Sequence, residues 1–397
     1  MPAWRGDDGS GRIISDVKTG QSFHHFMNGE RQMGMRYVPL ESCLRVARGS
    51  AKIVRQQNGV LGEIGNDEAG HDHDDLGRAR GLLIEGAASN LLRYSTAFSN
   101  VLWEKDAGVS VSASGLAAPD GSAGATQLDL PGGAAGLYQR VDNLVAGETH
   151  CFAVWARAVS GTVDVTLGGI NGASAHAVSL DESWQRVGFG EVASGTTRYP
   201  KINTSVSGMA ASILIWNAQL ETGPVSTSDM ISNGVPATRA IDDVRLDPGD
   251  WFQAGPGTLV FDLELPPAWD GIWRIVQLYS TSLNDDHLDL GYDSAADQLR
   301  VSLRKGGVPI VTQSLYGTLT PATRRKIAIA WDDDAVAVAQ NGVVLKSPGG
   351  FAMPRNFTHI GIGSYAGESG ALNGHLRGVS YWPARLSDDR LIALTET

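Results

Sequence analysis

The sequence has 397 residues, of which 42% are hydrophobic, 19% are charged and 49 are glycine. This length favours two or three domains, and the composition is that of a globular protein. The formal net charge is −11, but residues 1 to 60 carry nine Lys and Arg against five Asp and Glu, which leaves −15 for the remainder. An acidic chain lacks the basic footprint of nucleic-acid binding, and no apolar run approaches membrane-spanning length, so we expect neither partner.

Residues 1 to 79 are polar and glycine-rich, with one dense apolar and aromatic cluster, H-H-F-M-N-G-E-R-Q-M-G-M-R-Y-V-P-L. A segment with so little apolar area usually orders against a partner or another copy of itself. The basic excess at this end fits an arm that meets an acidic protein shell, and an ordinary charge fluctuation explains it equally well. We predict that residues 1 to 88 form an attachment region and linker, and that removing residues 1 to 80 leaves a soluble fragment.

The run from His71 to Trp103 contains H-D-H-D-D-L-G-R-A-R-G-L-L-I-E-G-A-A-S-N-L-L-R-Y-S. It resembles a segment of the tail-fibre and head-fibre proteins of tailed bacteriophages and gene transfer agents. The upstream L-R-V-A-R-G-S-A and the downstream A-Q-L-E-T-G and A-T-R-A-I-D follow the order of that family, so the resemblance covers residues 44 to 246. It implies a particle-proximal region joined to a jelly-roll domain similar to a carbohydrate-binding module, and assembly as a homotrimer.

From residue 89 to residue 223, short strand-like runs alternate with glycine turns. In C-F-A-V-W-A-R-A, the pattern places Phe152, Val154 and Ala156 on one face and Trp155 on the other. Many short strands with this spacing predict a β-sandwich. Residues 224 to 257 are rich in Pro, Gly and Asp, and we predict a linker there.

From residue 258 a second strand series begins with T-L-V-F-D-L-E-L and ends with L-N-G-H-L-R-G-V-S-Y-W-P-A-R-L-S-D-D. Residues 258 to 397 resemble the laminin-G, pentraxin and concanavalin-like sandwich. Ser387 is expected to cap a short helix, with Asp388 and Asp389 in its first turn. The predicted fold is all-β, with an N-terminal anchor region followed by two tandem antiparallel β-sandwiches, the first a jelly roll and the second concanavalin or laminin-G-like.

Neither cysteine, Cys43 or Cys151, has metal-ligand or redox spacing, so no disulfide framework is predicted. The chain also lacks a G-x-S-x-G elbow and a phosphate-binding G-x-x-x-x-G-K-[ST] loop.

Two pairs of residues have both a chemical and a structural interpretation. His71 and His73 are spaced as a metal pair on an extended chain, or they belong to a linker. Asp262 and Glu264 share a strand face, as the two carboxylates of a glycoside hydrolase would, or they are the outward face of a half-buried strand. Because Pro266 stands where a third acidic residue is expected, we predict a strand face, no catalytic residue and no enzyme.

Three loops, residues 282 to 289, 331 to 334 and 364 to 370, hold acids, amides and an aromatic. Their oxygens suit Ca²⁺, and solvated acidic turns explain them as well, so we predict no cofactor or bound metal and keep Ca²⁺ as an alternative. The same groups suit the hydroxyls and the apolar face of a sugar. The candidate glycan-binding residues are Asp285, Asp286, His287, Tyr365 and Glu368, with Trp155 of the middle domain as a competing candidate.

The predicted function is that of a virion structural protein, a fibre or spike on the head or tail of a phage-like particle, which binds host cell-surface polysaccharide. Its partners would be other virion proteins, contacted through the N-terminal region, and its location the surface of a virion or virus-like particle made in the bacterial cytoplasm. Two alternatives stay open. One is a polysaccharide depolymerase or glycoside hydrolase, and the other is a purely structural decoration or adaptor protein that binds no glycan.

Overall fold

The computed structural model describes residues 12–14, 43–168, 175–205, 207–253, 255–281, 285–314, 317–347 and 349–396. Most of the predicted attachment region before residue 43, including its aromatic cluster, lies outside these ranges. The chain divides into two compact units and passes from one to the other at 49/50, 64/65, 86/87 and 240/241. Unit 1 comprises Met1–Gly49, Gly65–Gly86 and Ile241–Thr397, and unit 2 comprises Ser50–Ile64 and Ala87–Ala240.

Strands are numbered along the whole chain, across both units. Within the described residues, unit 1 contains β1 (Arg12–Ile14), β2 (Leu44–Ala47), β5 (His71–His73), β6 (Ala79–Ile84), β19 (Asp243–Leu246), β20 (Gly257–Glu264), β21 (Ile272–Tyr279), β22 (His287–Asp293), β23 (Gln298–Lys305), β24 (Val308–Ser314), β25 (Arg324–Trp331), β26 (Val336–Gln340), β27 (Val343–Lys346), β28 (His359–Ile362), β29 (Gly374–Trp382) and the helix α1 (Asp388–Thr395). Unit 2 contains β3 (Lys52–Arg55), β4 (Leu61–Ile64), β7 (Ala88–Asn90), β8 (Trp103–Lys105), β9 (Ser110–Ala113), β10 (Thr126–Leu130), β11 (Gly136–Gln139), β12 (Thr149–Ala158), β13 (Val163–Gly168), β14 (Ala175–Leu180), β15 (Gln185–Val192), β16 (Lys201–Asn203), β17 (Ala211–Thr222) and β18 (Ala237–Arg239).

The described strands of unit 1 form a sandwich of two antiparallel sheets. The first sheet has the order β27-β26-β25-β20-β29-β6-β5, with β1 also paired to β29, and the second has the order β2-β19-β28-β21-β22-β23-β24. The core contains Phe261 and Leu263 of β20 together with Leu288 and Leu290 of β22. Alternate residues of each strand therefore face this core, and the residues between them face away from it.

Helix α1 covers the outer side of the first sheet of unit 1. Its Leu391 is fully buried and joins Ala328 of β25 and Ala337 of β26 in a small apolar cluster. Ser387 is the N-cap, because its hydroxyl accepts a hydrogen bond of 3.4 Å from the backbone N–H of Arg390. The predicted cap is confirmed. Within the described residues we find no helix with the length and apolar character that crossing a membrane requires.

Unit 2 is a second antiparallel sandwich. Its described strands form the sheets β15-β12-β17-β10-β9 and β14-β13-β16-β11-β8, with the shorter pairs β3–β4 and β7–β18 beside them. On β12, Phe152, Val154 and Ala156 belong to the core, as predicted. Trp155 lies on the opposite face, where it packs in a cluster with Leu61 of β4.

The all-β class and the antiparallel sandwiches are confirmed, but the units interleave along the chain instead of following one another. Strands β2 to β6 come from the predicted attachment region, β7 spans its end, and β18 and β19 come from the predicted linker. These strands have three to six residues each. So short a strand is stabilised mainly by its pairing partner, which for β2, β6 and β7 lies far away in sequence, and local composition gives little sign of it. That residues 1 to 88 include a particle-attachment region stays a prediction.

Candidate functional site

Buried polar residues from distant parts of the sequence hold unit 1 together. Arg48 is 2% exposed, and its Nη1 donates to Asp242 Oδ1 at 3.0 Å and to the carbonyl oxygen of Glu68 at 3.0 Å. Its Nη2 donates to the carbonyl oxygen of Gly65 at 2.6 Å. Asp242 Oδ2 in turn accepts from the backbone N–H of Glu85 at 2.8 Å. The A-R-G, I-E-G and A-I-D motifs therefore meet in one buried hydrogen-bond network.

In unit 2 the S-N-L motif has a similar role. Asn90 is fully buried, and its Nδ2 donates to the carbonyl oxygens of Ala218 at 3.0 Å and Met230 at 2.9 Å. Its Oδ1 accepts from the backbone N–H groups of Leu92 and Leu220, both at 3.1 Å. A single amide thus satisfies backbone groups from three separate segments.

The A-Q-L-E-T-G motif completes this framework. Glu221 is buried, and its Oε1 accepts from Gln219 Nε2 and from the backbone N–H of Thr227, both at 2.7 Å. Burial raises the pKa of Glu221, although the hydrogen bonds from Thr227 and Gln219 and the charge of Arg186 act in the opposite direction. Arg48, Asn90, Glu221 and Asp242 therefore stabilise the fold through buried hydrogen bonds.

Trp155, the competing glycan-binding candidate, is covered. Trp155 is only 6% exposed, and its Nε1 donates to both carboxylate oxygens of Asp229 at 3.1 Å. The guanidinium of Arg55 lies 5.1 Å from the centre of its ring. This corrects the expectation of an open aromatic face, because β3 and β4, which the sequence pattern did not place there, supply the cover.

Two of the predicted acids lie immediately before β22 in unit 1. Asp285 Oδ2 accepts from Ser280 Oγ at 3.3 Å and from Thr281 Oγ1 at 3.5 Å. Asp286 Oδ1 accepts from the backbone N–H of Gly306 at 2.5 Å. Both residues are half-buried, and their carboxylates are engaged in these hydrogen bonds.

Tyr365 and Glu368 occupy a tight turn after β28. The backbone N–H of Tyr365 donates to the carbonyl oxygen of Ser369 at 2.7 Å, and that of Glu368 donates to the carbonyl oxygen of Tyr365 at 2.9 Å. The ring of Tyr365 is half-buried beneath the guanidinium of Arg274, which lies 5.2 Å from its centre. Glu368 is exposed. The turn therefore places an aromatic ring and an arginine together at the surface.

Beside this turn, β21 and β22 bring a set of polar side chains together on the face of the second sheet that points away from the core. We name it the Asp289 cluster, and it consists of Arg274, Gln277, His287, Asp289 and Tyr365. Gln277 and Asp289 are direct partners across the two strands, so their side chains are neighbours. His287 and Asp289 alternate with the core residues of β22. Of the predicted residues, His287 and Tyr365 belong to this cluster.

Asp289 is only 3% exposed, and no side chain of the described residues donates a hydrogen bond to it. Its Oδ2 lies 3.6 Å from Arg274 Nε and 3.7 Å from His287 Nε2. Both separations exceed hydrogen-bond length. Burial raises the pKa of Asp289, although the nearby Arg274, His287 and Arg300 favour its charged form. The carboxylate thus sits among cations without direct hydrogen bonds to them.

Two donors in the same cluster are also unsatisfied. Gln277 is fully buried, and its Oε1 accepts from the backbone N–H of Ala366 at 3.0 Å. Its Nε2 and the Nε of Arg274 are buried and have no hydrogen-bond partner among the described residues. Buried polar atoms are normally paired, and two unpaired donors beside a carboxylate can be satisfied by a water molecule or by a polar group of a ligand.

The neighbouring strand β23 supplies the accessible edge of this cluster. Ser302 pairs with Asp289 across the strands, and its Oγ lies 3.3 Å from His287 Nε2. Arg300 is half-buried on the same strand and forms no ion pair or hydrogen bond with the part of the chain that is described. The site therefore combines a carboxylate, an amide, two guanidiniums and an aromatic ring, which together suit a ligand with several hydroxyl groups.

Arg274 and Gln277 were not predicted because they lie within a strand, and Asp289, the last residue of the predicted loop 282 to 289, was not among the candidates. A weak signal existed, since polar residues alternate with apolar ones in H-L-D-L-G-Y-D. In β21 the alternation is broken by a bulge between Arg274 and Val276. Because of that bulge, the sequence spacing does not show that Arg274 and Gln277 lie on the same face of the sheet.

The paired carboxylates of β20 are held in ion pairs. Arg324 Nε donates to Asp262 Oδ1 at 2.8 Å, and Arg80 Nε donates to Glu264 Oε1 at 3.0 Å. Arg377 Nη1 lies 3.5 Å from Glu264 Oε2. Both acids face away from the core, as an outward strand face requires.

The candidate metal pair lies on β5. A bulge falls between Asp72 and His73 and interrupts the regular alternation that would align His71 with His73. Asp72 Oδ2 lies 2.8 Å from His375 Nε2, so this acid is paired with a histidine of β29. Within the described ranges, no three His, Cys, Asp or Glu side chains are arranged to hold a metal ion.

No protein-family model matches this sequence, and no curated protein matches it. Among solved structures, the chain is similar to the Ruminococcus gnavus IT-sialidase CBM40 bound to α2,3-sialyllactose, at 17% identity over 36% of this chain and 83% of that one, with a TM-score of 0.31. It is also similar to Trypanosoma rangeli sialidase in complex with 2,3-difluorosialic acid, at 11% identity over 68% of this chain and 66% of that one, with a TM-score of 0.33. A third is a mutant of that sialidase displaying trans-sialidase activity, at 14% identity over 43% of this chain and 28% of that one, with a TM-score of 0.31.

These neighbours include enzymes as well as a carbohydrate-binding module. The prediction that this chain is not an enzyme is therefore wrong as it stood, and we withdraw it. Because every TM-score is far below 0.5, we take neither substrate nor reaction from the neighbours, and the choice of function rests on the residues of this chain.

Proposed function

We propose that this protein binds polysaccharide through the Asp289 cluster. The observation that carries the proposal is the pair of buried donors without a partner among the described residues, Gln277 Nε2 and Arg274 Nε, beside the Asp289 carboxylate, whose Oδ2 lies 3.6 Å from Arg274 Nε. A sugar hydroxyl both donates and accepts, so it can donate to the carboxylate while it accepts from one of the two donors. The half-buried ring of Tyr365 beside Arg274 offers a surface for the apolar face of a sugar.

The cluster is almost closed to solvent, since Asp289 is 3% exposed and Gln277 is fully buried. A ligand therefore enters from the edge formed by Tyr365, Arg300 and Ser302. Only a small group such as one hydroxyl reaches Asp289 and Gln277. Contacts of this size are individually weak. In a trimer, three copies acting on one polymer would raise the apparent affinity by 10²–10⁴-fold without any new contact.

The resemblance of residues 44 to 246 to phage and gene-transfer-agent fibres supports a biological setting for this binding. In that setting the protein is a fibre or spike on the surface of a phage-like particle, its N-terminal region contacts other virion proteins, and the polysaccharide belongs to the host cell surface. The contrast between a basic N-terminal end and an acidic remainder is compatible with such an attachment.

The test is polysaccharide binding by the intact protein and by two matched variants. Arg274→Gln removes a guanidinium from the cluster, and Arg355→Gln removes one from an exposed ion pair with Asp333 elsewhere in unit 1. On a panel of immobilised bacterial capsular polysaccharides, we expect Arg274→Gln to weaken binding at least about tenfold, because a hydrogen bond to a charged group contributes about 1.5–3 kcal/mol. Arg355→Gln should leave binding within about twofold.

Equal binding by wild type and Arg274→Gln would remove the Asp289 cluster from the proposal. Absence of binding to any polysaccharide, by protein that still assembles into particles, would instead favour a purely structural decoration or adaptor role. The same incubations report on hydrolysis, because the chain length of each polysaccharide is measured by gel filtration afterwards. Shortening that depends on the protein would make hydrolysis, and not binding alone, the function.

A further inference from the structure

Unit 2 carries a second set of aromatic and polar side chains on an open sheet face. Across three neighbouring strands, Glu104 of β8 is the partner of Tyr138 of β11, which is the partner of Lys201 of β16. Leu137 and Ile202, the sequence neighbours of Tyr138 and Lys201, are buried in the core. The row of Glu104, Tyr138 and Lys201 therefore points away from the core.

Two tyrosines form the apolar part of this face. The rings of Tyr138 and Tyr199 meet edge to face, with centres 6.1 Å apart and an interplanar angle of 74°. Tyr199 is 41% exposed, and Tyr138 is half-buried. Burial raises the pKa of Tyr138, and the nearby carboxylates of Glu104 and Asp106 raise it further. Large aromatic side chains kept at the surface in this way, each with a polar tip, are typical of binding surfaces.

The charged groups around the tyrosines are held in place by their neighbours. Lys201 Nζ lies 2.6 Å from Asp106 Oδ2 and 5.7 Å from the centre of the Tyr138 ring. Arg140 Nε donates to both carboxylate oxygens of Asp142 at 3.0 Å. Because these charged side chains are already held by their partners, a ligand that binds beside them loses less side-chain conformational entropy.

Glycines keep the face flat on both sides of β16. A Cβ at Gly136 would lie 2.4 Å from the carbonyl oxygen of Ile202 and 2.7 Å from Cε of Lys201. At Gly168, a Cβ would lie 2.9 Å from Cβ of Lys201. A side chain at Gly136 or Gly168 would displace the neighbouring residues. The two glycines therefore leave room for the side chain of Lys201.

Open polar atoms mark this face as they mark the Asp289 cluster. Asn203 shares the outward side of β16 with Lys201, is 9% exposed, and donates through Nδ2 to the carbonyl oxygen of Thr204 at 2.9 Å. Its Oδ1 has no hydrogen-bond partner in the described residues. This acceptor, on the same side of β16 as Lys201, is therefore available to an incoming hydroxyl group.

From these observations we infer a second saccharide-binding surface, which we name the tyrosine surface: Glu104, Asp106, Tyr138, Tyr199, Lys201 and Asn203. Its ligand is a neutral sugar. The aromatic rings suit the apolar face of a hexose, whereas Glu104, Asp106 and Asp142 outnumber the cations Lys201 and Arg140 by three to two, which disfavours a carboxylated sugar. The inference is independent of the Asp289 cluster, since it involves other residues in the other unit.

The experiment uses the intact protein and four trisaccharide probes, maltotriose, cellotriose and mannotriose as neutral sugars and trigalacturonic acid as an acidic one. Binding is measured by saturation-transfer NMR, which also reports which sugar protons lie against the protein. We expect at least one neutral probe to bind with its ring protons saturated, and trigalacturonic acid to bind this surface more weakly. Tyr199→Ala should weaken neutral-sugar binding at least about tenfold, while Tyr199→Phe, which keeps the ring, should stay within about threefold.

Arg274→Gln is the cross-control, because it alters the Asp289 cluster and leaves the tyrosine surface intact. Neutral-sugar binding that is lost in Tyr199→Ala and kept in Arg274→Gln supports the second surface whether or not the Asp289 cluster binds glycan. If none of the neutral probes binds wild type, or if Tyr199→Ala binds them as wild type does, the tyrosine surface is not a saccharide site. Loss in Arg274→Gln alone would assign the neutral sugar to unit 1.

Discussion

Arg274 Nε lies 3.6 Å from Asp289 Oδ2, close enough for the charges to attract but too far for a hydrogen bond. The two side chains come from adjacent strands of one sheet, on the face that points away from the core of unit 1. An ion pair that is buried and yet loosely joined gains little from its own geometry. Its value lies in the polar group of a ligand that can bind between the two side chains.

The first prediction concerns Asp289 and pH. Burial raises the pKa of Asp289 in the folded protein above the value of 3.8 for an ordinary aspartate. The folded state therefore binds more protons than the unfolded state, and this group makes the protein less stable as pH rises through its folded pKa. Asp289→Asn removes that dependence. The unfolding free energy of Asp289→Asn minus that of wild type should rise with pH from about 3.8 upward.

The measurement is urea unfolding at a series of pH values, with Asp129→Asn as a control of opposite sign. The hydroxyl of Ser212 donates to Asp129 and lowers its pKa, against the opposing effect of burial. The stability that the charged carboxylate of Asp129 contributes is fully present above pH 3.8 and is lost as the pH falls below that value. If the difference in unfolding free energy between Asp289→Asn and wild type is flat, or falls with pH, the pKa of Asp289 is not raised in the folded protein.

The second prediction concerns the amide that links three segments of unit 2. Asn90→Ala leaves two buried carbonyl oxygens and two buried N–H groups without their partner. We expect the unfolding free energy to fall by about 3 kcal/mol or more, because each unsatisfied buried group costs about 1–3 kcal/mol. Asn58→Ala is the control, since the exposed Asn58 makes one turn hydrogen bond and should cost less than about 1 kcal/mol. Similar losses for the two variants would contradict the role given to Asn90.

The third prediction compares two Arg–Asp pairs in unit 1. The side chains of Arg48 and Asp242 are 0% and 2% exposed, whereas those of Arg45 and Asp247 are 57% and 55% exposed. Asp242→Ala leaves a buried guanidinium without its carboxylate and should lower stability by about 3–5 kcal/mol. Asp247→Ala breaks only a solvated pair and should cost less than about 1 kcal/mol. Thermal unfolding of both variants decides whether the buried Arg48–Asp242 pair stabilises the fold more than the exposed pair does.

The fourth prediction revises the expectation for the N-terminal region. A chain that begins at residue 81 lacks β2 to β5, including Arg48 and the Leu61 side chain that covers Trp155 and Trp216. We now expect it to aggregate or to unfold without cooperativity. A chain that begins at residue 43 keeps all of these elements and should unfold cooperatively near the wild-type temperature. A soluble, cooperatively folded chain from residue 81 would show that β2 to β5 are dispensable.

Several features of this fold could be predicted because they depend on neighbouring residues. The alternation of Phe152, Val154 and Ala156 against Trp155 follows from strand geometry alone, and so does the N-cap at Ser387. The cover over Trp155 could not be predicted in the same way. It depends on Leu61 and Arg55, which lie about a hundred residues earlier in the sequence, and no local pattern encodes that contact.

The candidate site was predictable only at its edge, for a similar reason. Tyr365 and His287 were found because each lies in or next to a polar loop. Gln277 and Asp289 become neighbours through the register of β21 with β22, and register is set by the whole sheet. The bulge near Arg274 also prevents the sequence from showing which face of the sheet that residue occupies.

The most direct test of glycan binding at the Asp289 cluster follows two side chains by NMR in the intact protein. The Nε proton of Arg274 and the Nε2 protons of Gln277 have no hydrogen-bond partner in the described structure, so a sugar hydroxyl that enters the cluster must change their chemical shifts. The signals are assigned by their loss in Arg274→Gln and Gln277→Glu, and the ligand is an oligosaccharide prepared from a polysaccharide that binds. The side-chain amide of Gln219, which already donates to Glu221, is the internal control. We predict that the Arg274 and Gln277 signals move and saturate with the dissociation constant measured for binding, while the Gln219 signal stays in place. Saturation of binding with the Arg274 and Gln277 signals unmoved would contradict the assignment of polysaccharide binding to this site.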